Sequence, residues 1–177
     1  MKLIVTFFIY MICIESILAQ RQIGVSGTQA TVYEDPEFVK RDFKKVVIKT
    51  GVDDMDQDEK VMKEFESLKV EKISWLKLFP PIKEYNDSSV ARICKSNGVD
   101  GIIKMVEKST EVGAGVYAQG SKRAKFELTV IDVATMTNVA KYTGGTAITA
   151  LDVPLKTYIK FARLTRDDLN GVLKKSR

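Results

Sequence analysis

Histidine is missing from all 177 residues. Its absence removes the side chain that titrates nearest neutral pH, the commonest zinc ligand and the usual activator of serine or cysteine nucleophiles. Cysteine is nearly missing as well. Cys13 lies in a segment expected to be cut away, so Cys94 would stand alone and no intramolecular disulfide could staple the chain. Small secreted eukaryotic domains usually depend on disulfides, so export with one free thiol fits a bacterial envelope protein better. Long apolar runs are missing too, with one exception at the start.

That exception sets the compartment. In residues 1–20, MKLIVTFFIYMICIESILAQ, Lys2 gives a positive n-region and Leu3 to Ile14 an apolar h-region, and Glu15 to Ala19 form a short c-region. The run is too short for a permanent span and has the layout of a secretory signal peptide. Cleavage after Ala19 is expected, giving a periplasmic or secreted chain with no retained transmembrane helix. Ile12 precedes Cys13 where a lipid-modified cysteine needs a small neighbour, so no lipid is expected.

Residues 20–177 are about one domain's worth, enough to bury their own core. Segment 20–42 reads as an extended N-terminal arm ahead of a single α/β domain over 43–177. Net charge is +5 and survives cleavage, because Lys2 and Glu15 leave together. Basic residues gather at Lys40–Lys45, Lys122–Lys125 and Lys174–Arg177. On an exported chain, a charged partner is then anionic lipid or glycan, with no nucleic acid expected.

Local patterns place the elements. Phe43 to Lys49 is a β-rich run, and the acidic stretch Asp53 to Glu59 opens a helix whose apolar stripe is Val61, Phe65 and Leu68. Ile73 to Leu78 reads as a second strand ended by Pro80-Pro81. Asn86 or Asp87 caps a helix through Val90, Ile93 and Cys94, stopped by Asn97-Gly98. Ile102 to Val106 is a third strand, and Ala124 to Val130 alternates as a half-buried one. Ala134 to Thr137 turns it into a return strand from Asn138 to Ile148. A basic-faced C-terminal helix follows, in which Thr165 to Asp168 resembles a capping box where the helix would break and restart. These predict a two-layer α/β (α+β) sandwich with a mixed β-sheet of about five strands, helices on one face and a C-terminal helix.

No catalytic, cofactor-binding or metal-ligating residue is assigned, and no cofactor is expected. Asp54-x-Asp56-x-Asp58 imitates a calcium loop, but that loop's required glycine and glutamate positions hold Glu59 and Phe65, so a helix-cap role is expected. Gly113, Gly115 and Gly120 miss the dinucleotide fingerprint. Cys94 shares an apolar helix face with Val90 and Ile93 and is expected in the core. The polar, glycine-rich segment 108–121 is expected to be a mobile loop, with Val112, Val116 and Tyr117 as candidate partner contacts.

Three motifs carry a resemblance: Leu78-Phe-Pro-Pro81, the helix-to-strand passage Cys94-Lys-Ser-Asn-Gly-Val-Asp-Gly-Ile-Ile-Lys104, and Phe126-Glu-Leu-Thr-Val-Ile-Asp-Val-Ala-Thr135. Together they resemble bacterial envelope α/β proteins: the CsgG-like curli-secretion-channel lipoproteins, the penicillin-binding-protein activator lipoproteins and the TolB N-terminal domain. In those proteins the later strand ends in an Asp-x-x-Thr-Gly turn; here Met136 stands in the glycine's place. The resemblance implies a non-enzymatic cell-envelope accessory protein with an envelope protein as partner. Two further readings stay open, a binder of anionic lipid or glycan through a basic face and a small hydrolase with an unrecognised carboxylate site.

Overall fold

Neighbouring residues of the central strands point to opposite sides, and both sides are apolar. In β3 (Lys45–Lys49), Val46 and Ile48 enter one core cluster while Val47 enters another. In β5 (Gly101–Val112), Ile103 and Met105 join the first and Ile102 the second. A strand that is apolar on both faces must be covered on both. The computed structural model describes residues 20–25, 27–35, 42–112, 122–148 and 153–174. It shows α1 (Met55–Met62) and α4 (Pro154–Leu173) on the first face, through Val61, Phe161 and Leu169. The second face holds α2 (Trp75–Leu78) and α3 (Asp87–Ser96), through Phe79, Val90 and Cys94. Helices therefore lie on both faces, not one, because the β3–β5 flank has no polar side.

Among the described residues the sheet has seven strands, in the order β1 (Gln20–Val25), β2 (Thr28–Glu34), β7 (Thr137–Ile148), β6 (Lys122–Asp132), β5, β3 and β4 (Glu71–Ser74), against about five expected. The difference is the hairpin of β1 and β2, which occupies much of the segment read as an arm. β2 pairs antiparallel with β7, which pairs with β6. β3 lies between β5 and β4, parallel to both, so the sheet is mixed.

Two predicted elements are corrected. Ile73 to Leu78 is not one strand: the chain turns helical after Ser74, whose hydroxyl caps Leu76 N–H at 3.2 Å, and Trp75 stacks on Phe79 one turn later at 3.9 Å. The C-terminal helix does not break at residue 165. Thr165 is buried and bonds back to the Phe161 and Ala162 carbonyls at 3.1 Å, which keeps it inside the helix. Elsewhere local chemistry holds. Asn86 caps Ser89 N–H at 2.9 Å, and Gly98 past the other end of α3 takes φ +68°, which favours glycine.

Candidate functional site

Beyond β5 the second face has no helix over it among the described residues. Strand alternation sets its chemistry. Phe126, Leu128 and Tyr142 turn toward α4 and are buried, so Lys125, Glu127, Lys141 and Thr143 must turn the other way. Register then brings Lys104 opposite Thr129, and Thr129 opposite Lys141. The face carries Lys104, Lys108, Arg123, Lys125 and Lys141, with Glu127 between Lys108 and Lys141 and Glu111 in register with Arg123. Glu127 accepts from Lys141 at 2.7 Å and Lys108 at 3.3 Å, and the Lys141 hydrogen bond holds its carboxyl below the usual range.

A groove of about 420 Å³ crosses the upper part of this face, walled by Gln22, Gln29, Thr31, Arg123, Lys125 and Thr143. Its floor is Gly145. A Cβ there would come within 3.0 Å of the Arg123 side chain and 2.9 Å of the Ala124 carbonyl, so the glycine lets the arginine lie flat across the sheet. Among the described residues the groove walls are amide, hydroxyl and cationic.

The groove ends at an edge strand. No described residue pairs with the outer side of β1, whose residues are exposed apart from half-buried Ile23. Unpaired edges invite another strand, and β1 carries no lysine or proline to deter one. Its single charge, Arg21, turns back to α4, where it grips Asp168; Tyr142 and Glu34 complete that cluster.

A second cavity of about 550 Å³ opens at the carboxyl ends of β3 and β4. The α1 crossover lies on one face and the α3 crossover on the other, so this is a strand-order switch point, the usual ligand crevice of such sheets. Its aromatic wall is closed on itself: Trp75 is sandwiched between Phe79 and the Lys49 ammonium, 5.1 Å from the ring centre. Its buried carboxylate, Asp58, takes the Thr50 hydroxyl on one oxygen and the Ser74 hydroxyl on the other, both at 2.5 Å. Among the described residues no three acidic or cysteine side chains come together to hold a metal.

Val112 is the last residue of β5, paired with Lys122; Val116 and Tyr117 lie outside the described residues. The predicted loop is corrected at its start, since residues 108–112 belong to β5. Cys94 is fully buried, and burial pushes its thiol up to about 11. The predicted basic clusters divide. Lys122–Lys125 lies on β6, with Arg123 and Lys125 on the open face, whereas Lys45 pairs with Glu71 at 2.8 Å. Lys104, Lys108 and Lys141 escaped sequence reading because only strand register gathers them, although the alternation Lys125-Phe-Glu-Leu-Thr already marked one polar side. No described helix is long and apolar enough to cross a membrane.

The fold is that of a seven-stranded α/β sheet covered fully on one side and partly on the other. It is shared with the PelC dodecamer from Paraburkholderia phytofirmans, at a TM-score of 0.50 and 12% identity over 78% of this chain and 96% of that one. A point variant of the same dodecamer, in a different crystal form, gives 0.51 and 10% over 81% and 98%. TolB from Acinetobacter baumannii is a third similar structure, with a TM-score of 0.39 and 15% identity over 81% of this chain and 30% of that one. No family model and no curated protein sequence matches the chain.

Proposed function

We propose that the chain is an exported, non-enzymatic cell-envelope accessory protein that works through protein–protein contacts, with self-assembly among them. The observation that carries this reading is the pairing of an open sheet edge at β1 with an uncovered polar face beside it. Edges left open on a well-packed sheet are surfaces for another chain. The shared fold supports it, since the PelC structures are dodecamers. Export rests on residues 1–19 and the Ala19 cleavage site. The non-enzymatic part is supported by the missing histidine and by Asp58, whose two oxygens are engaged by hydroxyls.

Expression with its own leader, followed by fractionation and co-purification from envelope extracts, tests the proposal. A processed chain beginning at Gln20 that recovers a defined protein partner or its own oligomer supports it. An unprocessed cytoplasmic chain, or a monomer recovering nothing, overturns it. The basic face favours a second reading, binding of anionic lipid or glycan, which sedimentation with phosphatidylglycerol vesicles would detect.

A further inference from the structure

The open face is basic, and the chain carries its own acidic counterpart on the opposite flank. Around the start of α1, Asp53, Asp54, Asp56 and Glu59 are all exposed, and Met55 among them is 55% exposed. The helix is eight residues long, and Asp54 caps it by accepting Gln57 N–H at 2.9 Å. The acidic tip therefore stands on a fixed element. It follows the carboxyl end of β3, one strand from the β4 edge. The basic groove lies toward the β1 edge, and strand directions bring it to the same end of the sheet: Thr28 opposes Val25 on one side and Thr146 on the other, and Lys122 opposes both Val112 and Ile148. Tip and groove are thus level with one another on opposite flanks. Two surfaces so placed, α1 on the α4 side of the sheet and the groove on the other, cannot meet within one molecule, so a contact between them must join two copies.

We infer that the acidic tip of one copy, centred on Asp53, Asp56 and Met55, seats on the Arg123–Lys125 groove of the next. The occupant is a second copy of this chain, and charge complementarity selects it. The contact is heterologous, because the two surfaces differ. A joined pair keeps one unused tip and one unused groove, so the arrangement grows into a ring or a filament according to the angle per step. The exposed methionine gives the tip an apolar centre, while opposed charges around it set register and favour the correct partner. This inference rests on the protein-contact reading and adds to it the partner and the surfaces.

Sedimentation velocity on the purified full chain tests it, using wild type, the groove reversal Arg123→Glu/Lys125→Glu and the tip reversal Asp53→Lys/Asp56→Lys. Milder pairs, Arg123→Gln/Lys125→Gln and Asp53→Asn/Asp56→Asn, serve if a reversal fails to fold. The wild type is expected to associate and to weaken at least tenfold as NaCl rises from ~0.05 to ~0.5 M, since rim charges are screened. Each reversal alone should be monomeric. Mixed together, the two reversals restore both a native tip–groove pair and a charge-swapped one and should assemble beyond a dimer, whereas the two neutral pairs mixed together restore one native contact and should stop at a 1:1 heterodimer. A wild type that stays monomeric, reversals that associate as wild type does, or a mixture that stays monomeric would each overturn the inference. A monomer that still captures an envelope protein would overturn this inference while leaving the contact reading standing. A monomer that sediments only with phosphatidylglycerol vesicles would overturn both.

Discussion

Arg21 on β1 and Asp168 on α4 meet across 147 residues of sequence in a two-pronged ion pair, its Nη2–Oδ2 prong 2.7 Å long. The same Asp168 oxygen accepts the buried Tyr142 hydroxyl at 2.7 Å, and Arg21 also reaches Glu34 at 2.8 Å. Burial first, and the adjacent Asp168 carboxylate second, push the Tyr142 hydroxyl far above its ordinary range. The cluster fixes the edge hairpin to the helix behind it and so sets the position of the groove wall formed by Gln22 and Gln29.

Asp168→Ala is expected to destabilise the protein by about 2–4 kcal/mol, because it strands a buried hydroxyl as well as the arginine. Arg21→Ala should cost less, about 1 kcal/mol, since the Arg21 side chain is 45% exposed and solvent screens the pair. Urea unfolding measures both. Limited proteolysis should cut the hairpin early in Asp168→Ala, and equal costs for the two variants would contradict this division of roles.

Cys94 gives a pH prediction. Burial raises its folded-state value from 9.0 to about 11, so folding favours the neutral thiol. Its contribution is fully present below pH 9 and is lost as pH rises toward 11, where the unfolded chain ionises first. Stability should fall over that window in the wild type and fall less in Cys94→Ala, which itself costs about 1 kcal/mol at neutral pH. Thermal melts across the alkaline range read both effects. Labelling of the native thiol should be slow and should follow opening of the domain.

What the sequence reveals here is local chemistry. Asn86, Asp54 and Gly98 mark helix ends within a few residues of themselves, and the alternation from Ala124 to Val130 marks a half-buried strand. What it hides depends on distant partners. The β2 pattern, with Ala30 and Val32 buried and Thr31 and Tyr33 turned outward, is too weak to identify a strand until Thr146 and Tyr142 lie beside it. The helical turn at Trp75 is concealed because Trp and Ile both favour strands, while the stacking of Trp75 on Phe79 decides for the turn. The basic face draws on β5, β6 and β7, so no single window of sequence contains it.

Met136 is the one described residue other than glycine with positive φ, at 57°, in the turn joining β6 to β7. Asp132 holds that turn, accepting the Thr135 hydroxyl at 2.7 Å and its N–H at 3.2 Å. A left-handed backbone costs a side chain roughly 1 kcal/mol, and more when it is β-branched. Met136→Val should therefore destabilise by about 1–2 kcal/mol. Met136→Gly should be nearly neutral, since relief of strain offsets the lost contact with the second core cluster. Paired denaturation curves separate the two, and a valine variant as stable as the glycine variant would rule out this account.

Asp58 is where the acidic stretch Asp53 to Glu59 departs from a simple helix start. Asp54 does the capping, while Asp58 is turned inward, 3% exposed, and ties the ends of β3 and β4 together through Thr50 and Ser74. Both hydroxyls donate to it, and Ser74 also accepts Leu76 N–H, so the carboxylate organises the turn from β4 into α2. Asp58→Ala removes two hydrogen bonds and leaves two hydroxyls with lost partners, an expected cost of about 3–5 kcal/mol. Asp58→Asn keeps the shape but places an amide donor opposite a hydroxyl that must then turn to accept it, for about 1–2 kcal/mol. Because α1 sits over this bridge, hydrogen exchange in Asp58→Ala should accelerate across residues 55–62 and 71–78 while β6 and β7 stay protected. Uniform acceleration over the whole sheet would show that Asp58 stabilises the fold as a whole and does not specifically hold this corner.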